Sequence, residues 1–199
     1  EEDEKILLDD QKSKVFMRTF KTRHSQRQLS LGYNIIEQRR RLKPQFVGLS
    51  QREINEVIWS KGKDEVAEEF EKIIFSYGGD SRPIDPQKIA ESLFLCHECT
   101  YLNIEDDERN FQQHSYLAEV LETAKAARVE NLLLFHTSLR YNLEELRQGI
   151  EDGMARINPG CRVLVLHGDS ILDTASPHSW KKRIQRERAR EKALGEPSE

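Results

Sequence analysis

This chain of 199 residues lacks an even set of cysteines, a long apolar run and a large excess of charge of one sign. Its three cysteines argue against a disulfide framework and agree with a reducing compartment. No apolar segment approaches the length needed to cross a bilayer, and the acidic start at residues 1–4 is unlike the basic start of a secretory signal. We therefore expect a cytoplasmic protein that contacts no membrane.

The charges nearly balance, since 31 Lys and Arg face 35 Asp and Glu for a net charge of −4. No overall basic excess therefore indicates nucleic-acid binding, although local basic clusters can still bind phosphate. The hydrophobic fraction of 37% is enough for the core of one ordinary domain, or of part of a larger one. The composition thus favours a soluble globular chain and leaves the function to its motifs.

Metal-binding side chains follow four predicted strands. The clearest example is Phe75–Pro83, where an apolar run ends at two glycines and Asp80. The four sites are His24 after Val15–Thr22, Asp80 after Ile73–Tyr77, His97 and Glu98 after Ser92–Cys96, and His136 after Asn131–Phe135. Imidazole and carboxylate groups suit zinc or a similar divalent ion, so together they predict one metal-centred cleft. Each of them alone is also typical of an ordinary polar residue where a strand leaves the core.

Alternating strand and helix patterns predict an α/β fold. Val15–Thr22 and Leu29–Ile36 form a predicted hairpin, and a capping box at Ser50 and Glu53 predicts a helix over about residues 51–60. Further helices are predicted after His114-Ser115 and over Leu143–Met154, with a last strand at Arg162–Leu166. Residues 1–14 are expected to be an acidic, poorly ordered terminus, 15–175 the folded unit, and 176–199 a charged helix and tail.

Three charged or cysteine-bearing segments each allow two interpretations. Arg39–Lys43 is either a solvated surface segment or a phosphate-contacting patch beside the cleft. The basic stretch Lys181–Lys192 is either a solvated helix or an RNA-contacting arm. Cys96 and Cys99 have the CxxC spacing but no second pair, so a buried structural role is favoured over a reactive one.

A series of motifs over residues 15–166 resembles ribonuclease Z, the metallo-β-lactamase-fold endonuclease that trims the 3′ end of precursor tRNA. These motifs are Phe20-Lys-Thr-Arg-His24, Ser30-Leu-Gly-Tyr33, Arg40-Arg-Leu-Lys43, Val47-Gly-Leu-Ser50, Gly79-Asp80-Ser81, His97-Glu-Cys-Thr100, His114-Ser115 and His136-Thr-Ser-Leu-Arg-Tyr141. The resemblance implies the C-terminal half of an αββα sandwich.

The resemblance also implies roles for nine residues. His24, Asp80 and His136 would be metal ligands, with Asp80 bridging two zinc ions. His114 would assist departure of the leaving group, and Glu98 would be the second catalytic residue. The residues expected to bind phosphate or RNA are Ser81, Arg82, Ser138 and Arg140.

Two departures from the family qualify this hypothesis. The 199 residues contain no His-x-His-x-Asp-His motif, since the histidines stand at 24, 97, 114, 136, 167 and 178. The interval between Tyr33 and Asp80 is short, with one predicted helix, and is similar to that of members without a long tRNA-gripping arm.

The sequence therefore predicts part of a zinc-dependent phosphodiesterase. We expect it to need a missing N-terminal half or a second chain, to be inactive alone, and to act on precursor tRNA or another phosphodiester. The alternatives are an inactive RNA- or protein-binding half-domain and a hydrolase of small phosphodiesters on the same fold. The resemblance also allows a homodimer and leaves the oligomeric state open.

Overall fold

The computed structural model describes residues 4–10, 14–25, 28–107, 113–168, 170–176, 178, 180–186 and 189. Within them, eight strands form one sheet in which the spatial order follows the chain order. The strands are β1 (Lys5–Asp9), β2 (Val15–Ser25), β3 (Gln28–Leu42), β4 (Ala67–Tyr77), β5 (Phe94–Glu98), β6 (Asn131–Phe135), β7 (Arg162–His167) and β8 (Ser170–Asp173).

α-Helices lie in the connections from β3 to β4, β5 to β6 and β6 to β7. The α-helices are α1 (Gln51–Lys61), α2 (Lys63–Val66), α3 (Leu117–Ala127) and α4 (Leu143–Ile157), and short 3₁₀ turns occur at Pro44–Phe46, Pro86–Ile89 and Ile104–Asp106. Residues 180–186 are also helical. The predicted capping box is confirmed, because the Ser50 side chain accepts from the backbone of Glu53 and the Glu53 side chain accepts from the backbone of Ser50.

The direction of the strands changes along the sheet. β1 to β4 pair antiparallel, which confirms the predicted hairpin of β2 and β3. β4 to β7 pair parallel, and β8 returns antiparallel to β7. Parallel strands place their carboxyl ends at one edge of a sheet, so the loops after β4, β5 and β6 meet there.

One face of the sheet forms the hydrophobic core with α3 and α4. Alternate strand residues such as Leu132, Leu134 and Val163 are fully buried in the same cluster as Leu121 and Ile150 of those helices. This alternation is the period-two pattern of a strand with one covered face. The predicted α/β fold is confirmed by this arrangement.

The other face of the sheet carries half-exposed aromatic rings. Tyr77 stacks on Tyr33, with ring centroids 5.4 Å apart, and on Phe135 at 5.5 Å. Phe75 and Phe94 stack in the same way at 6.2 Å. We call Tyr33, Phe75, Tyr77, Phe94 and Phe135 the aromatic face.

The interval between Tyr33 and Asp80 contains more structure than the sequence predicted. β3 and β4 continue their pairing to Leu42 and Ala67, and two helices, α1 and α2, connect their ends. Each arginine of the basic run pairs within this region, Arg39 with Glu37, Arg40 with Asp64 and Arg41 with Glu68. These ion pairs favour the interpretation of Arg39–Lys43 as a solvated surface segment.

Two described segments towards the ends of the chain have regular structure. Within residues 1–14, Lys5–Asp9 is a strand that pairs with β2, although all five of its residues are exposed. β8 was not predicted. Near the other end, Trp180 is 1% exposed, joins the core and donates its indole N–H to the carbonyl of Asp173. The predicted stretch 181–192 is helical to residue 186, and residues 187, 188 and 190–192 lie outside the described part of the chain.

Gly32 allows β2 and β3 to pack closely around Phe20. Gly32 pairs with Phe20 in the β2–β3 register, and Phe20 is 1% exposed. A Cβ atom at position 32 would lie 2.5 Å from two ring atoms of Phe20 and 2.7 Å from the carbonyl oxygen of Tyr77. A strand glycine of this kind marks a close approach that a side chain would block.

We predict that Gly32→Ala lowers the free energy of unfolding by about 1–3 kcal/mol, because the ring of Phe20 and the backbone of β4 must both move. Urea denaturation followed by circular dichroism measures the change. Leu29→Ala is the control, since Leu29 lies on the same strand and is 71% exposed; we expect its effect to stay below about 0.5 kcal/mol. Equal stability of Gly32→Ala and the wild type would contradict the close approach.

Candidate metal centre

Five predicted side chains meet at the carboxyl edge of the sheet. His136 Nε2 lies 3.5 Å from Asp80 Oδ2, and the rings of His114 and His136 stack with centroids 5.3 Å apart. The ring of His24 meets that of His114 edge to face at 5.1 Å, and Glu98 lies 3.0 Å from His114. We call His24, Asp80, Glu98, His114 and His136 the candidate cluster.

Glu98 is the most enclosed member of the cluster, with a fully buried side chain. Its Oε1 accepts from the backbone N–H groups of Ser81 (3.2 Å) and Ser115 (3.1 Å) and lies 3.0 Å from His114 Nδ1. Its Oε2 accepts from the backbone N–H and the hydroxyl of Thr100, both at 2.9 Å. These contacts fill the accepting positions of the carboxylate, so Glu98 positions its neighbours through hydrogen bonds.

Burial and hydrogen bonding act on Glu98 in opposite directions. Burial raises the pKa of Glu98, the hydrogen bonds from Thr100 and Ser115 and the charge of His136 oppose this, and the pKa comes to about 7. Three of the five partner atoms are backbone nitrogens, which can only donate, and they stabilise the ionised form. We therefore treat Glu98 as a carboxylate.

His114 is held as a neutral imidazole. Burial lowers its pKa, as does the charge of His24, against the opposing charges of Asp80 and Asp107. Nδ1 faces the Glu98 carboxylate at 3.0 Å, so Nδ1 carries the proton and donates a hydrogen bond to the carboxylate. Nε2 of His114 is then left with its lone pair.

His136 has an unusual backbone. Its φ of 56° lies in the left-handed region, where residues other than glycine are strained. Backbone bonds from neighbouring residues support this turn, since Cys99 N–H donates to the carbonyl of Phe135 and Ser138 N–H donates to the carbonyl of Thr100. Strain of this kind is typical of positions where a side chain must be aimed at a site.

His97 does not join the cluster. β5 continues to Glu98, so His97 and Glu98 are successive strand residues that point to opposite faces. The His97 ring is fully buried, accepts from the backbone N–H of Ile84 at Nε2 and lies 2.7 Å from the carbonyl of Glu98 at Nδ1. Burial lowers its pKa to about 4, which keeps it neutral. The expectation that His97 follows the strand into the cleft is therefore wrong.

The predicted phosphate-binding residues have two different surroundings. Ser81 is buried, and Arg82 pairs with Glu119 and donates to the carbonyl of His114 at 2.8 Å. Ser138 is half-buried and Arg140 exposed, on the turn that follows His136. Arg140 donates to the backbone of Asp106 at 3.2 Å. Arg82 thus braces the loop before α3, while Ser138 and Arg140 lie at the surface beside the cluster.

Three of the clustered residues bring atoms of the metal-ligand type close together. Ligand atoms of Glu98, His114 and His136 lie within 4.8 Å of one another. Of the predicted ligands, this group contains His136, and Asp80 adjoins it through the 3.5 Å contact. Sequence reasoning missed Thr100 and Ser115 as partners of Glu98, although both stand in the motifs that it singled out.

The cysteines contribute no reactive thiol to this site. Burial raises the pKa of Cys96 to about 11 and that of Cys99 still higher. Such thiols stay protonated at neutral pH. The structural interpretation of the CxxC spacing is the one that these values favour.

We predict that Glu98→Gln lowers the free energy of unfolding by about 1–3 kcal/mol. The substitution replaces one carboxylate oxygen by an amide nitrogen, whose hydrogens then face N–H or O–H groups that donated to that oxygen. Urea denaturation checks this value. Glu130→Gln is the matched control, since its side chain is 58% exposed and pairs loosely with Lys72 at 3.4 Å; we expect a change below about 0.5 kcal/mol. A Glu98→Gln variant as stable as the wild type would show that the buried hydrogen bonds do not need the anion.

Comparison with known proteins places the chain among partial matches to ribonuclease Z. No protein-family model matches it. It is 42% identical to ribonuclease Z of Thermococcus sibiricus over 74 residues, which are 36% of this chain and 24% of that protein. It is 34% identical to ribonuclease Z of Thermococcus onnurineus over 110 residues, 54% of this chain and 32% of that one. A chloroplastic tRNase Z of Arabidopsis thaliana is 28% identical over 144 residues, 68% and 39% of the two chains.

A solved structure gives the fold. The metallo-β-lactamase fold protein YhfI of Bacillus subtilis superposes with a TM-score of 0.52 at 15% identity, over 87% of this chain and 54% of that one. The short form of human tRNase Z gives a TM-score of 0.45 at 18% identity, over 85% and 47%. The chain spans less than two fifths of the length of the curated relatives reported above. It therefore has the fold of part of a metallo-β-lactamase-fold protein, and its sequence matches part of ribonuclease Z.

Proposed function

We propose that this chain is part of a zinc-dependent phosphodiesterase, an endonuclease that processes the 3′ end of precursor tRNA. The observation that supports it most is the meeting of three imidazoles and two carboxylates at the carboxyl edge of the sheet. The curated relatives are named for that activity. Loops at this edge of an α/β sheet are where such sites are built.

The donor set fits zinc. In this proposal His24, Asp80 and His136 are the ligands, and the 3.5 Å contact between His136 Nε2 and Asp80 Oδ2 brings two of them together. Neutral imidazole and carboxylate are common zinc ligands. Bound zinc would supply an activated water and stabilise negative charge on the attacked phosphorus, and a carboxylate between two ions would fix their spacing.

The other residues of the cluster act on protons and phosphate. His114, held by Glu98 through Nδ1, has the lone pair of Nε2 available to take a proton from the attacking water and then give it to the leaving oxygen. Ser138 and Arg140 bind a phosphate of the substrate from the exposed turn after His136. Ser81 and Arg82 support the loop after Asp80, and the guanidinium of Arg82 adds positive charge near the RNA.

The chain is incomplete in this proposal. Its 199 residues contain no His-x-His-x-Asp-His motif, so three ligands would be shared between two metal positions. The aromatic face supports the same conclusion, because Tyr33 keeps 37% of its surface exposed in a row of stacked rings. We propose that an N-terminal half carrying the missing motif, on the same or a second chain, packs on the aromatic face.

Membrane attachment plays no part in the proposal. Within the described residues, no helix has both the length and the apolar character that crossing a membrane requires. The cytoplasmic location stays a prediction from the sequence, and so does the homodimer that the resemblance allows. The alternatives, an inactive RNA- or protein-binding half-domain and a hydrolase of small phosphodiesters, are separated by the experiments below.

We predict that the purified chain binds at most one zinc ion, weakly, and that Asp80→Asn weakens this binding at least about tenfold, because a neutral amide replaces an anionic ligand. Isothermal titration with zinc chloride measures both values. His178→Ala is the control, since His178 is an exposed histidine outside the cluster. An Asp80→Asn variant that binds zinc as tightly as the wild type would remove Asp80 from the ligand set.

We also predict that precursor-tRNA cleavage needs the missing half. The chain alone should not cleave, whereas co-purification with the part of Thermococcus onnurineus ribonuclease Z that it does not match should restore cleavage. His114→Ala in the restored complex should lower the cleavage rate by about 10²–10⁴ and leave the zinc content unchanged.

The substrates used in this assay separate the alternatives. Robust cleavage of precursor tRNA by the 199-residue chain alone would contradict its incompleteness. Cleavage of bis(p-nitrophenyl) phosphate without cleavage of tRNA by the complex would favour a hydrolase of small phosphodiesters. RNA binding without any cleavage by a zinc-loaded complex would favour the inactive half-domain.

A further inference from the structure

The hydroxyl group of Thr100 connects two members of the candidate cluster. Its Oγ1 lies 2.9 Å from Glu98 Oε2 and 3.0 Å from His136 Nδ1. Thr100 is 8% exposed, so water does not replace either contact readily. A hydroxyl group has one hydrogen to donate and lone pairs with which to accept. The two contacts must therefore differ in direction.

The direction follows from the charge of Glu98. Two oxygen atoms 2.9 Å apart repel each other unless a hydrogen lies between them. The carboxylate, held by three backbone N–H donors, has no hydrogen to give. The hydroxyl hydrogen of Thr100 therefore goes to Glu98, in a charge-assisted hydrogen bond.

The same reasoning fixes the proton of His136. With its hydrogen committed to Glu98, Thr100 Oγ1 presents only a lone pair to His136 Nδ1 at 3.0 Å. A hydrogen bond at this distance then requires Nδ1 of His136 to carry the proton. Nε2, which faces Asp80 Oδ2 at 3.5 Å, is left with its lone pair. The lone pairs of His136 Nε2 and Asp80 Oδ2 repel each other at this distance, and a cation bound between the two atoms would stabilise them.

We propose that Thr100 is a positioning residue that fixes His136 as the Nδ1–H tautomer. The buried carboxylate of Glu98 then determines which nitrogen carries the proton in both His114 and His136. Glu98 acts on His114 directly and on His136 through the Thr100 hydroxyl. The tautomer part of this inference stands apart from the proposed function. Its consequence for zinc rests on the assignment of His136 as a ligand.

The role of the hydroxyl can be separated from that of the Thr100 backbone. The carbonyl of Thr100 accepts from Ser138 N–H at 3.0 Å and its N–H donates to Glu98 at 2.9 Å. Substitution of the side chain leaves both backbone groups in place. Thr100→Val keeps the shape and removes the hydroxyl, and Thr100→Ser keeps the hydroxyl and removes the methyl group.

The test is the tautomer of His136 in the metal-free chain, read from long-range ¹H–¹⁵N spectra of protein labelled at histidine. At about pH 8, where unperturbed imidazoles are neutral, we expect wild-type His136 to carry its proton on Nδ1. Thr100→Val should shift it towards the Nε2–H form that histidine favours in water. Thr100→Ser should restore the wild-type spectrum, and His114 should keep its Nδ1–H form in all three proteins.

Zinc titration of the same proteins gives the second readout. We expect Thr100→Val to lower zinc affinity by about 10- to 100-fold, the range seen when an outer hydrogen-bond partner of a ligand is removed. Thr100→Ser should return it to the wild-type value.

Each outcome bears on one claim. Wild-type His136 in the Nε2–H form, or an unchanged Nδ1–H form in Thr100→Val, would overturn the inference. The wild-type measurement does so without any variant having to fold. If the tautomers respond as expected but the chain completed by its missing half binds no zinc, the inference stands and the proposed function fails.

Discussion

A carboxylate that is cut off from water and surrounded by hydrogen-bond donors is the constraint on which the cluster depends. Glu98 lies at the end of β5 and draws in the loop after β4 through Ser81 and the segment before α3 through Ser115. Loss of any one donor would leave part of a buried charge without compensation. The anion therefore fixes the backbone as well as the two imidazoles that it orients.

The sheet makes this meeting of loops possible. Parallel pairing of β4, β5 and β6 brings residues 80, 98 and 136 to one edge, although the chain separates them by 18 and 38 positions. His24 reaches the same edge from the antiparallel strand β2. His24 and Glu98 lie on strands and Asp80 and His136 lie within three residues of a strand end, which suits a site that must present its side chains in a fixed arrangement.

Most of the correct predictions came from patterns within short segments of the sequence, such as helix caps and apolar periodicity. The helices α1, α3 and α4 follow from caps and apolar periodicity, and the strand ends pointed to His24, Asp80 and His136, which belong to the candidate cluster. The strand β1 escaped prediction because all its residues are exposed, which removes the alternation that marks a strand. β5 was predicted at Ser92–Cys96, two residues too early, so His97 and Glu98 were both expected to follow the strand into the cleft, whereas they are successive strand residues on opposite faces.

The remaining features depend on contacts between distant parts of the chain. The partners of Glu98 include residues 17 positions away on both sides, and no local pattern reports them. The ion pairs of Arg40 and Arg41 likewise reach 24 and 27 positions along the chain. A basic run looks the same in sequence whether its charges face RNA or neighbouring carboxylates.

Every strand of the sheet lies beside the strand that precedes it in the chain. Each new strand can therefore pair with one that has already formed, and no late segment has to be threaded between earlier ones. Folding can advance in chain order from β1 to β8, and the antiparallel pairs β2–β3 and β7–β8 have only short loops to close. The edge that carries the candidate cluster would then take shape only when β6 joins β5 and brings His136 beside Asp80.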